Sequence, residues 1–509
     1  MEYLVTAGEM KQYDVNTIEQ IGIPGMVLME RAALAAFGVI EERFGNLPVE
    51  QKRVFVMAGV GNNGGDGLAL ARLLSEAGYT VTVQYVGNVD KASQQWKMQR
   101  NILEHFPVSF CRKNNEAEYT IMVDALFGVG LSRNIEGEYA QAIESFNRMK
   151  GFKLSLDIPS GIHSDTGKLL VCAVSADVTV TFGFLKRGLM FFPGTEYAGE
   201  VIKADMGITD KSFLGNPPEM FFYKEEPESL LPVRNKGGNK GTFGKVLLVA
   251  GSMKMAGAAI LSAKSAYRIG AGMVKVISPE ENRVIIQETV PEALYGTYED
   301  MESSLKWADV IAIGSGMGTG DYGRACLEKV ILESRLPVVI DADGLNLLAK
   351  ERAKKTVCRS KQEGQEQQIN LWDELIKQAQ AGRPVILTPH AGELARLLEL
   401  SIAEVKEDLP ERGKELATEL QGVVVAKDAR TFTCMENEPV CVNVHGNSGM
   451  ATAGSGDVLA GIIAGLLAQG MEAFEAAGVG VYLHASAGDK AAARLGEHAC
   501  MAGDLVNYL

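Results

Sequence analysis

The 509-residue sequence predicts an α/β protein made of two α/β domains in series. Three observations carry this. Short β-branched apolar runs alternate with helix-like runs along most of the chain. The alternation halts in a proline- and glycine-rich stretch near residues 211–240 and then restarts. Polar, glycine-rich clusters follow several of the apolar runs, where an open parallel sheet gathers its ligands at the strands' carboxyl ends.

The first half opens with a helical pattern, "TIEQIGIPGMVLMERAALAAFGVIEERF". Strand-like runs follow: "VFVMA", "VTVQYV", "YTIMVDALFG", "FKLSLDIPSG", "ADVTVTFGF" and "GEVIKADMGI". After the first of them comes "AGVGNNGGDGLALARLL", residues 58–74, with five glycines ahead of leucines at helical spacing. The glycines are expected in a strand-to-helix turn that lets a ligand touch the backbone. The helix start behind them would favour phosphate. The spacing matches no P-loop, and "GVGNNG" resembles G-x-G-x-x-G only weakly.

The second half restarts at "KVLLVAGS" and continues through "AAILSAKSAYRIGAG", "MVKVIS", "DVIAIGSGMG", "PVVIDADGLNLL", "PVILTPHAGELARLL" and "VVVAKDARTFT". The polar stretch "AKERAKKTVCRSKQEGQEQQINLWDE" reads as a surface insertion. Near the end, "NSGMATAGSGDVLAGIIAGLLAQG" places Gly454 and Gly456 before an apolar helix expected to begin near Val458. Their N–H groups would form an anion hole, and Asp457 beside it suits a general base.

Composition narrows the function classes. With 46% hydrophobic and 22% charged residues, the chain can bury a sizeable core. A net charge of −14 argues against a nucleic-acid surface and leaves no basic patch for anionic membranes. The seven cysteines are scattered without C-x-x-C, as in a cytoplasmic protein with reduced thiols. No signal-peptide pattern opens the chain, and "VLAGIIAGLLA" is too short to span a bilayer.

Taken together, the motifs show a resemblance. "EMKQYD", "GIPGMVLMERA", "AGVGNNGGDG", "VDALFGVG" and "DIPSG" resemble the epimerase domain of the NAD(P)H-hydrate repair family. "KGTFGKVLLVAGS", "AGAAILSAKSAYRIGAG", "DADGLNLL", "LTPHAGE" and "GMATAGSGDVLAGIIAGLLAQG" resemble that family's dehydratase domain. The resemblance implies a Rossmann-like α/β/α epimerase domain over residues 1–225 and a ribokinase-like dehydratase domain over 226–509. It implies that one domain interconverts the R and S hydrates of NADH and NADPH. The other removes water from the S form using ADP, giving AMP and phosphate.

The resemblance also assigns residues. In the front domain, Asn62, Asn63, Gly64, Gly65 and Asp66 line the hydrate, with Gly128, Val129, Gly130, Leu131, Ser132, Arg133, Asn134, Tyr139 and Asp157. Asn63, Asp124 and Ser160 bind K⁺, which prefers such oxygen ligands. Asp157 is the candidate acid/base group, because C6 of the nicotinamide must lose and regain its configuration. In the second domain, Ala256, Gly316, His390 and Asp457 meet the hydrate, while Lys427, Asp428, Ala429, Arg430, Thr431 and Gly456 meet the nucleotide. Asp341, Asp343 and Asn346 lie near the phosphates, where Mg²⁺ is expected with ADP. Asp428 stands where the family usually has glycine, and its carboxylate would repel a phosphate unless it turned away. His390 and Glu393 lack further ligands for zinc.

The partners expected are therefore NAD(P)H hydrates and ADP, with no nucleic acid and no membrane, in a homo-oligomer. Another reading is a ribokinase-type small-molecule kinase behind a non-catalytic binding domain. It would share the "GSGD" motif and differ in its product.

Overall fold

The computed structural model describes residues 1–112, 118–358 and 369–509. They divide into two compact units, Tyr3–Met220 and Phe221–Leu509, the latter joined by Met1–Glu2.

The front unit is built on a seven-stranded parallel sheet. Its spatial order is Val108–Cys111, Thr80–Tyr85, Arg53–Ala58, Ile121–Ala125, Phe152–Leu156, Val178–Phe182 and Glu200–Ala204. The strands Ile121–Ala125 and Val178–Phe182 are buried at every position, as expected for a parallel sheet covered on both faces. Helices Gly25–Phe44 and Asn62–Glu76 bury Ala32, Ala36, Leu68 and Ala71 in one core. Ile143 and Phe146 of helix Gly137–Arg148 pack with Phe55 and Met122 in another.

The glycines of "NNGGDG" are not in a turn. The helix begins at Asn62, so Gly64, Gly65 and Gly67 lie in its first two turns. A Cβ on Gly64 would stand 1.9 Å from the Gly59 carbonyl oxygen, and one on Gly67 would stand 2.5 Å from the Ala125 Cβ. Close packing of the helix start on the strand ends requires glycine at both. The Gly65 N–H already donates to the Gly61 carbonyl, so it is not free to bind a phosphate.

The second unit has a sheet ordered Leu294–Gly296, Met273–Ile277, Lys245–Val249, Val310–Ile313, Val338–Ile340, Val385–Leu387, Val423–Ala426, Thr431–Cys434 and Val440–Asn443. It is parallel up to Val423–Ala426 and antiparallel beyond it. "VVVAKDARTFT" is thus a hairpin that carries Lys427–Arg430 at its turn. The apolar helix runs Ser455–Ala468, three residues earlier than its hydrophobicity suggests, and Asp457 lies in its first turn. Gly461 and Gly465 let this helix press on helix Ala256–Arg268: Cβ atoms there would stand 2.1 Å from Ser265 Oγ and 2.4 Å from Ile269 Cγ2.

The polar segment read as an insertion falls partly outside the described residues. Its flanks belong to helices Ala342–Cys358 and Leu371–Gln380, and Leu371 and Trp372 are buried. Among the described residues, Cys111, Cys172, Cys326, Cys434, Cys441 and Cys500 are free thiols. No described helix is long and apolar enough to cross a membrane.

Candidate active sites

In the front unit the site forms where three neighbouring strands end. Asp124 is the fourth residue of Ile121–Ala125 and is fully buried. Its Oδ1 accepts from Ser160 Oγ (2.6 Å) and the Leu126 N–H (3.2 Å). Its Oδ2 accepts from Ser155 Oγ (2.9 Å) and the Ser160 N–H (2.8 Å). Burial pushes its carboxyl up and these hydrogen bonds pull it back. All four donors are uncharged. Ser160 Oγ also accepts from the Phe127 N–H at 2.9 Å.

Asp157 follows the next strand, and its Oδ2 accepts from the Val129 N–H at 3.4 Å. A Cβ on Gly128 would be 3.1 Å from that oxygen and 3.3 Å from Asn63 Cβ, so Asn63, Gly128 and Asp157 share one point. Among the described residues, both amide atoms of Asn63 are buried without a hydrogen-bond partner. Asp66 lies one helical turn beyond Asn63. Burial pushes its carboxyl well above the usual range, with Asp157 and Asp14 adding to the rise and Lys186 opposing it.

The remaining front residues divide. Asn62, Gly130, Ser132, Arg133 and Asn134 are exposed around the strand ends. Leu131 turns into the apolar cluster instead. Tyr139 packs on Phe127, with ring centroids 5.1 Å apart.

The second site gathers on Lys427. Its Nζ lies 2.9 Å from Asp341 Oδ1, which also accepts from Thr388 Oγ1 at 2.7 Å. A Cβ on Gly456 would be 3.4 Å from that Nζ and 3.7 Å from Asp341 Oδ2. The glycine therefore brings the helix N-terminus directly over the ion pair. Burial pushes the Asp457 carboxyl up to about 6; Asp341 and Asp343 add to the rise, and the Ser315 hydroxyl and Lys427 oppose it. Gly454, at φ 94°, turns the chain into the helix in a conformation that favours glycine.

His390 is exposed at the end of its strand. Its Nδ1 accepts from the Gly392 N–H (2.9 Å), capping helix Ala391–Leu398, and its own N–H donates to Glu393 (2.9 Å). Burial raises the Glu393 carboxyl to about 7. Gly316, at φ 62°, lies against the start of helix Ala256–Arg268, where a Cβ would be 2.7 Å from Ala258 Cβ. Asp343 accepts from the Gly318 N–H at 2.8 Å, and Asn346 accepts from Arg396 at 2.9 Å. In the hairpin turn, Ala429 is exposed, while Arg430 and Thr431 are half-buried. The Asp428 carboxylate pairs with Lys406 at 2.8 Å.

Sequence reasoning missed three residues. Lys186 is buried and ion-paired to Asp157 at 2.5 Å. Thr388 shares Asp341 with Lys427. His484 lies with Nε2 3.2 Å from Ser455 Oγ, and burial pulls its imidazole down to about 4, so it is neutral near pH 7. The only sequence signal for Lys186 and His484 is a polar residue inside an apolar run, which is weak.

Comparison with known proteins gives concordant matches. Residues 25–188 match the family described as YjeF-related protein N-terminus, and residues 246–365 and 366–509 match NAD(P)H-hydrate dehydratase. The bifunctional NAD(P)H-hydrate repair enzyme of Moorella thermoacetica is 34% identical, covering 100% of this chain and 96% of its own. That of Coxiella burnetii is 36% identical, covering 96% of this chain and 95% of its own. Among solved structures, an ADP/ATP-dependent NAD(P)H-hydrate dehydratase from Bacillus subtilis, co-crystallised with ATP/Mg²⁺, is 28% identical with a TM-score of 0.46. That match covers 56% of this chain and 94% of the other.

Proposed function

The chain belongs to the bifunctional NAD(P)H-hydrate repair family, and from that premise we propose that it repairs hydrated NADH and NADPH at two separate sites. Residues 1–225 form the epimerase domain and residues 226–509 the ADP-dependent dehydratase domain. The observation that carries the reading is Asp457 in the first turn of helix Ser455–Ala468, beside the buried pair of Lys427 and Asp341.

At the second site Asp457 takes the proton of the C6 hydroxyl, whose oxygen attacks the β-phosphoryl group of ADP. AMP leaves, with its charge met by Lys427 and by N–H groups at the helix start. The phosphorylated hydroxyl then departs as phosphate, its bonding pair going with it. The departing phosphate takes the proton from C5, and the electron pair of that C–H bond forms the dihydronicotinamide double bond. Asp341, Asp343 and Asn346 already hold Lys427, a backbone N–H and Arg396. No cluster of three or more His, Cys, Asp or Glu suited to a metal occurs among the described residues. Mg²⁺ therefore fits here as a companion of the ADP phosphates rather than as a protein-held ion.

At the front site C6 carries both a nitrogen and a hydroxyl. Asp157 accepts the hydroxyl proton, the C6–N1 bond breaks, and its electron pair goes to N1. Asp66, whose carboxyl burial pushes above the usual range, supplies the proton that N1 takes up. Rotation about C5–C6 and reversal of these transfers give the other epimer. K⁺ fits Asn63, Asp124 and Ser160: Asn63 offers an unpartnered buried oxygen, and Asp124 is a buried carboxylate whose hydrogen-bond donors are all neutral. The ion would supply a positive charge that ties these loops together. We place the enzyme in the cytoplasm as a homo-oligomer.

Absorbance recovery tests the reading. A mixture of R and S hydrates of NADH should regain near-ultraviolet absorbance completely with ADP, releasing AMP and phosphate, and not at all without it. A stable phosphorylated product with no absorbance gain would favour the kinase reading instead.

A further inference from the structure

Lys186 is 1% exposed, although lysine is almost never fully buried unless paired. Its ammonium donates to the Phe182 carbonyl at 2.6 Å and to Thr181 Oγ1 at 3.0 Å, and it forms an ion pair with Asp157 Oδ1 at 2.5 Å.

Asp157 itself is unusual. Its φ of 69° lies in the left-handed region, which is strained for a non-glycine residue. The turn is held by its own N–H, which donates to the Val180 carbonyl at 2.7 Å, and by the ion pair to Lys186. The two carboxylate oxygens consequently have different surroundings. Oδ1 is tied to Lys186. Oδ2 lies beside the Val129 N–H, Gly128 and the unpartnered amide of Asn63. A buried amide without a partner is costly, which marks that point as the place a polar ligand fills.

We propose that Lys186 is a positioning residue of the epimerase site: by holding Oδ1 it fixes Asp157 in its left-handed turn and leaves Oδ2 to receive the hydroxyl proton of the hydrate. This rests on the front-site reading above. Lys186 does not touch the hydrate. It acts through Asp157 alone, so its removal should slow the chemical step and leave substrate affinity nearly unchanged.

Full-length protein provides the test, with epimerisation followed separately from ADP-dependent dehydration. Lys186→Met should lower kcat for epimerisation by about 10²-fold, with KM altered by less than about three-fold. In an Asp157→Asn background, adding Lys186→Met should cost nothing more, because the residue it orients is already disabled. The double variant replaces the buried ion pair with a neutral couple, which a fold tolerates better than one unpaired charge. A raised KM with unchanged kcat, or a further loss of about tenfold in the double variant, overturns the proposal. If Lys186→Met alone does not fold, Thr181→Val removes one of the lysine's partners and keeps the ion pair. A several-fold fall in kcat at constant KM then supports the role, and an unchanged kcat refutes it. Failure of the wild-type protein to epimerise would instead remove the front-site reading itself.

Discussion

Lys427 and Asp341, 86 residues apart in sequence, form an ion pair of 2.9 Å at the floor of the second site. Burial works against the Lys427 ammonium, but Asp341, Glu393 and Asp457 outweigh it and hold its pKa above the ordinary value. The lysine therefore stays charged at the point where the proposed reaction would bring phosphate.

Lys427→Met should leave Asp341 buried, with Thr388 its remaining side-chain donor among the described residues. Breaking a buried pair from one side costs about 3–5 kcal/mol, so the melting temperature of this unit should fall. Dehydration should also need much more ADP. Calorimetry and ADP titration check both, and an unchanged melting curve would speak against a pair buried in solution.

Asp457 must be ionised to accept a proton, and its carboxyl is raised to about 6, chiefly by burial. Dehydration should therefore slow about tenfold per pH unit below that value, while ADP binding persists. The sign for stability is the reverse. The folded state favours the protonated carboxyl, so this group's contribution is complete below the ordinary value of 3.8 and is lost as pH rises through about 6. Asp457→Asn should reduce dehydration by ~10²–10⁴-fold, abolish the acid limb and leave epimerisation untouched. A variant with near-normal repair would end the role assigned to Asp457.

In the proposed reading Asp124 serves the front site only. Asp124→Ala should weaken epimerisation and its response to K⁺, and leave dehydration of the S hydrate nearly unchanged. Exchanging K⁺ for Na⁺ in the wild-type protein should act in the same direction. Parallel loss of both activities would contradict two independent sites.

Asp428 is turned toward Lys406, so the expected phosphate repulsion is neutralised. Asp428→Gly should change the KM for ADP by less than about three-fold, since an exposed pair contributes little. A tenfold improvement would show that the carboxylate does face the nucleotide.

The pattern of "VFVMA", "YTIMVDALFG" and "FKLSLDIPSG" made the parallel sheet legible, because apolar β-branched runs with polar ends are a local property. For the same reason Asp124, Asp157 and the "AGSGD" turn could be placed at strand and helix ends from their neighbours alone. The starts of the two site helices were less legible. Asn62 and Ser455 open them, not the leucines and valines that follow, because glycine-rich first turns lack the apolar period that marks a helix.

The sequence by itself therefore determined the α/β class, the two-part organisation and the segments that carry each candidate site. The tertiary structure alone decided what those side chains meet. Lys186 reaches Asp157, Thr388 and Lys427 share Asp341, Lys406 takes Asp428, and His484 reaches Ser455. Each of these contacts joins residues well separated along the chain. Strand order and helix packing bring them within hydrogen-bonding distance, and no local periodicity encodes that order.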